Sequence, residues 1–140
     1  LTLELLNGGS PGYQVYEVYS LDADGPTLPA GGYLVIGSED TVLSGLGPDV
    51  LMIPLGLGSV IQNGSPDGVR ILGPDGEFID GLAYEGEMVG VGEGTSPSYW
   101  DGSVDGVSLC RMPNGTDTND NEADFTECVS TPGATNLALP

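Results

Sequence analysis

The residues best suited to chemistry lie in one acidic run, Asp117-Thr118-Asn119-Asp120-Asn121-Glu122-Ala123-Asp124. Oxygen-bearing side chains at alternate positions let a single loop wrap a hard cation, and Ca²⁺ takes about six to eight such ligands. Asp117, Asn119, Asn121 and Asp124 are the candidate metal ligands, with Ca²⁺ as the cofactor they would hold. The run is not an EF-hand loop, because Asn121 is followed by Glu122 and not by Gly, and no helical pattern flanks it. A solvated acidic turn, with Asp and Asn side chains accepting from nearby backbone amides, uses the same residue types, and the sequence leaves both readings open. Asp22-Ala23-Asp24-Gly25 and the stretch from Asp101 to Asp105 are weaker versions, each with too few carboxylates for a site of its own.

Cys110 and Cys128 flank this polar segment. A disulfide between them would remove unfolded-state entropy worth roughly 3 kcal/mol on the chain-entropy account; two buried free thiols are the alternative. High acidity and the absence of lysine suit an exported, oxidising setting and favour the disulfide. A lone Cys pair without His offers too few ligands for zinc. Asn114-Gly115-Thr116 and Asn63-Gly64-Ser65 read as N-glycosylation acceptors, the second weakened by Pro66. Tyr99 and Trp100 stand beside Asp101, where an exposed aromatic pair would stack on a sugar; a ring closing the end of the core is the competing assignment.

Much of the usual catalytic inventory is missing. The chain has 21 acidic side chains, no His and only Arg70 and Arg111 as cations. General bases, Schiff bases and anion clamps lean on the missing types, which leaves carboxylate pairs as the route to catalysis. In so acidic a chain such pairs arise by chance, and no enzyme is expected. A formal net charge of -19 repels phosphate backbones and anionic lipid heads, so neither nucleic acid nor a membrane surface is an expected partner. No apolar run is long enough for a membrane span. Leu1 is not a start methionine, so the sequence reads as a processed or incomplete chain.

The elements that must position these residues are short strands. With 140 residues the chain suits one domain, over 1–130, followed by a tail or linker over 131–140. Its 24 Gly and 11 Pro punctuate short apolar runs without a fixed period, as turn residues do. Strands are expected at Leu1 to Leu5, at Tyr13 to Tyr19 as its hairpin partner, and at Tyr33 to Ile36 as a buried central strand. Val50 to Leu55 and Val60-Ile61-Gln62 are short apolar elements, and further strands are expected at Val69 to Leu72, Glu77 to Tyr84, Val107 to Met112 and Phe125 to Val129, with a weak one at Met88 to Val91. About seven to nine short strands in an all-β pattern make a sandwich or a barrel.

Several stretches, in order, resemble the lamin-tail domain family of the secreted prokaryotic type: Leu28-Pro-Ala-Gly-Gly-Tyr-Leu-Val-Ile-Gly37, Gln62-Asn-Gly-Ser-Pro-Asp-Gly-Val69, Phe78-Ile-Asp-Gly-Leu-Ala-Tyr-Glu-Gly86, Ser108-Leu-Cys-Arg111, Asp117 to Phe125 and Thr131 to Asn136. The resemblance implies an immunoglobulin-like β-sandwich that binds, adheres or builds, outside the cell or at its surface, and it carries over no catalytic residue. Members usually begin with one or two further strands ahead of the segment resembling Leu1 to Asn7. A sandwich short of a strand exposes unpaired backbone groups. A longer parent chain, the chain's own later segments or a second copy would cover them, and the last is strand addition, which builds filaments when passed from subunit to subunit. The functional expectation is thus an extracellular structural or adhesive module, self-associating through an open sheet edge. The alternative is a carbohydrate- or protein-binding module within a larger secreted protein.

Overall fold

The computed structural model describes residues 1–9, 11–21, 27–37, 46–56, 61–97 and 104–140. Over these the chain is all-β, with nine short strands in three sheets: β1 Thr2–Asn7, β2 Gln14–Ser20, β3 Leu34–Gly37, β4 Leu51–Pro54, β5 Asp67–Leu72, β6 Phe78–Tyr84, β7 Val107–Arg111, β8 Phe125–Val129 and β9 Leu137–Ala138. One helical turn, α1 Asn121–Asp124, precedes β8. The arrangement is that of a generic β-sandwich.

The largest sheet has the order β2-β1-β5-β6 and is antiparallel throughout. Its register sets two faces. Leu6 pairs with Gly68, and Gly68 with Ala83. That face is covered by the segment after β6, whose Met88 and Val91 pack with Leu6 and Ala83 as a buried cluster. The small residues make the close approach possible. A Cβ at Gly81 would collide with the Val91 carbonyl oxygen, and one at Gly68 would stand 2.6 Å from a Val91 methyl. The opposite face carries Leu5, Val69 and Leu82 in register and turns toward β7. A cleft of about 580 Å³ separates Leu82 and Tyr84 from Ser108 and Leu109.

β3 and β4 form a parallel pair, and β7-β8-β9 a three-stranded sheet. Tyr33 to Ile36, expected as a central strand, is only half-buried and pairs on one side alone among the described residues. An apolar run reports burial potential and not sheet position, so it cannot tell a central strand from an edge facing a groove. Met88 to Val91, expected as a strand, is a turn: Val91 and Gly92 both donate to the Met88 carbonyl, at 3.0 and 3.2 Å. Gly90, at φ 78°, breaks the extended conformation there. Thr131 to Pro140, expected to lack periodicity, supplies β9, which pairs Leu137 with Val129 and Ala138 with Cys128.

Gly81→Ala is expected to cost roughly 2 kcal/mol or more, because the colliding partner is backbone and must shift. Gly47→Ala, whose added methyl meets one Val50 methyl at 4.0 Å, should stay within about 0.5 kcal/mol. Urea denaturation of both variants checks the contrast; equal midpoints would contradict the close packing of the segment after β6.

Candidate functional site: the Arg111 carboxylate cluster

β7 ends in Arg111, whose side chain is 13% exposed. Strand parity on β6 places Asp80 on the Leu82 face, toward β7, and the guanidinium Nη2 meets the Asp80 carboxylate at 2.6 Å. The same Nη2 lies 3.3 Å from Glu93, whose carboxylate is only 8% exposed. Nη1 reaches Asp117 at 3.1 Å, and the guanidinium stacks 5.0 Å from the centre of the Phe125 ring. A planar fork of donors suits three carboxylates arriving from different directions, which a point-charge ammonium would not.

Oxygens of Asp80, Glu93 and Asp117 lie within 4.8 Å of one another. Three hard donors that close form a cluster capable of coordinating a divalent cation. Arg111 already holds the centre. One guanidinium balances only one of three negative charges, so the cluster keeps a strong preference for further positive charge, protons included. Burial raises the Glu93 pKa above its ordinary value, and the adjacent Asp80 carboxylate raises it further by repulsion and by accepting a hydrogen bond from the protonated acid; Asp117 adds repulsion, and Arg111 opposes the shift.

The loop between Arg111 and β8 is pinned at several points. Asp124, 2% exposed, accepts from the Thr118 amide at 2.8 Å and from the Thr118 hydroxyl at 2.7 Å. These bonds hold its pKa below the ordinary carboxylate value, with the Arg111 charge adding to them and burial opposing. Asn121 is fully buried and bridges two elements: its Oδ1 accepts from the Glu93 amide at 3.0 Å, and its Nδ2 donates to the Gly81 carbonyl at 3.0 Å. Asn119 sits at φ 59°, and its amide donates to Asp117 Oδ1 at 3.0 Å. Of the four ligands expected from sequence, Asp117 joins the carboxylate cluster, while Asn121 and Asp124 direct their side chains to these backbone and hydroxyl partners. Asp80 and Glu93 escape a sequence reading, because only the sheet register and the turn after β6 bring them to Arg111. The scarcity of cations was the available clue: an arginine inside a strand of so acidic a chain must find carboxylates.

Cys110 and Cys128 form the disulfide, with Cα atoms 5.9 Å apart. They lie diagonally across the β7-β8 ladder, Cys110 opposite Thr126 and Cys128 opposite Ser108, so the bond closes the loop that carries Asp117 and α1. Asn63 and Asn114 are both exposed. Asn114 Oδ1 accepts from the Asn136 amide at 3.0 Å, and its Nδ2 lies 3.5 Å from the Tyr33 hydroxyl. Tyr99, Trp100, Asp22, Asp24 and Asp101 lie outside the described residues. No protein-family model, no curated protein and no solved structure matches the chain.

Arg111→Met should destabilise the fold by about 3 kcal/mol, the low end for breaking a buried ion pair, because Asp80 and Asp117 keep access to water. Arg111→Lys should recover only part of that loss in urea denaturation, and full recovery would show that the fork geometry is immaterial. Stability should also depend on pH through Glu93. Its folded pKa is raised, so the folded state holds the proton more tightly than the unfolded chain, and stability falls as pH rises from the ordinary value of 4.5 through the raised one. Asp124 works in the opposite sense: its contribution is present above its ordinary value of 3.8 and is lost as pH falls through the lowered one. Melting curves in a chelator should therefore show Glu93→Gln with a flatter decline above pH 4.5 than the parent chain; identical profiles would contradict the assignment.

Proposed function

We propose that the chain is a non-catalytic structural or adhesive module of the lamin-tail type, an immunoglobulin-like sandwich working outside the cell and joining to other chains by strand addition. The observation that carries this reading is the state of the sheet edges. Among the described residues, no strand pairs with the outer side of β2, β3 or β4. β6 is an edge of a different kind, since its outward Gly81 carbonyl is capped by Asn121. β2 is partly blunted by a bulge: Glu17 pairs with Leu5 and Val15 with Leu6, leaving Tyr16 as the extra residue. β3 has no such device.

The disulfide and the strong acidity support an extracellular setting. Asn63 and Asn114, both exposed, suit glycosylation there, although a glycan on Asn114 would displace its contact with Tyr33. We take Ca²⁺ to be the cation of the Arg111 cluster, because all three side chains offer hard carboxylate oxygens and together outnumber the guanidinium. Screening by such ions also lowers the repulsion between chains that each carry a net charge of -19.

Electron microscopy of the concentrated protein in millimolar Ca²⁺ should show chains or fibres; particles of single-chain size at every concentration would overturn the self-association reading. Separately, millimolar Ca²⁺ should raise the melting midpoint by several degrees relative to a chelator, as expected for about 2 to 3 kcal/mol of linkage. The gain should be larger in Arg111→Met, where the three carboxylates lack their internal cation. An unchanged midpoint in both proteins would remove Ca²⁺ from the account.

A further inference from the structure

The strand-addition reading leaves open which edge accepts and what is donated. A groove of about 640 Å³ runs between β3 and the sheet that contains β7. Tyr33 to Ile36 line one side and Leu109 and Phe125 another, and the chain's own Thr131 to Ala134 and Asn136 also border it. Tyr33 and Gly37 direct their carbonyls to β4, accepting from the Leu51 and Leu55 amides at 3.0 and 2.9 Å. By strand parity, Leu34 and Ile36 turn their N–H and C=O groups away from β4. In a chain with 21 acidic side chains, no described residue lining this groove is acidic, and its one charged group is Arg111.

One segment matches this groove in chemistry and length. Ser130 to Pro140 contains no ionisable side chain. Within it Leu137 and Leu139 lie two apart, on one face of an extended strand, and are 55% and 41% exposed. The segment is held by two residue pairs with β8 and by Asn136, whose amide donates to Asn114 Oδ1 at 3.0 Å and whose Nδ2 donates to the Arg111 carbonyl at 2.9 Å, bonds that donation would exchange; four residues from Asn136 would span about 13 Å, the length of β3. Two copies of a strongly acidic chain meet with least repulsion where both surfaces lack acids.

Resting on the strand-addition reading, we propose that the segment Asn136–Pro140 of one copy leaves β8 and adds, in a second copy, to the edge of β3 that has no partner among the described residues, with Leu137 and Leu139 against the groove. Donor and acceptor are different surfaces, so the contact is heterologous and propagates into a chain of subunits. The partner completes the site, since the main-chain groups of Leu34 and Ile36 gain their ladder from it. Asn114 stands on the groove rim, so a glycan there would oppose the insertion.

Sedimentation velocity from micromolar to millimolar concentration, on unglycosylated protein at physiological ionic strength, tests the proposal. The parent chain should associate, and Leu137→Ser with Leu139→Ser, neutral changes at exposed positions, should weaken association at least about tenfold. Association undiminished by the double change would place the joint at another edge, overturning this inference and leaving strand addition intact. A parent chain that stays monomeric throughout would overturn both. Should the double variant fold poorly, mixing Leu34→Cys protein with Leu139→Cys protein should give a cross-linked pair; association without that cross-link would overturn the inference.

Discussion

The structure turns on the shortage of positive charge. A chain with a net charge of -19 has two cations, and both are engaged internally. Arg111 gathers carboxylates from β6, from the segment after it and from the loop that follows β7. Arg70, directly opposite Glu4 across the β1-β5 ladder, binds that carboxylate at 2.7 Å and also donates to the Gly90 carbonyl at 3.1 Å. Each arginine therefore fastens the segment after β6 to a sheet. That segment covers one face of the main sheet with Met88 and Val91 and delivers Glu93 to Arg111. The exposed surface is left with acids, which keeps chains apart except where acids are missing.

The edges divide along the same lines. Beyond β6, the buried Asn121 uses both ends of its amide to join the Gly81 carbonyl to the Glu93 amide. The Asn121 and Glu122 amides donate to the Glu93 and Thr95 carbonyls, each at 2.8 Å. The acidic run therefore closes a sheet edge and places Asp117 beside Arg111. With the Gly81 carbonyl of β6 capped and β2 bulged, β3 and β4 remain as edges without an outer partner among the described residues, and the acid-free groove lies along β3.

Much of this order was legible in the sequence. The strands expected at Leu1 to Leu5, Tyr13 to Tyr19, Val69 to Leu72 and Glu77 to Tyr84 match β1, β2, β5 and β6, because side-chain period and turn chemistry are local properties. The disulfide followed from two cysteines in an acidic chain. The cation cluster was only half legible. Asp117 belongs to a visible acidic run, but Asp80 and Glu93 become its neighbours through sheet register and a glycine turn, which no local pattern encodes. Met88 to Val91 misled for a related reason: Met88 and Val91 are buried while Val89 between them is exposed, and the buried surface is made by a turn over Gly68, Gly81 and Ala83. Similarly, Leu137-Ala138-Leu139 is too short for a periodic signal, and β8 supplies the context that makes it a strand.

β3, whose outer edge has no partner among the described residues, is proposed as the edge through which chains join. Amide hydrogen exchange resolved to single residues tests it most directly, on dilute and on concentrated protein. The account predicts that Leu34 and Ile36 exchange rapidly in dilute solution and become protected on concentration, while the Val35 amide, directed to β4, changes little. Slow exchange of Leu34 and Ile36 in dilute protein, or no gain in protection while the chains associate, would contradict it.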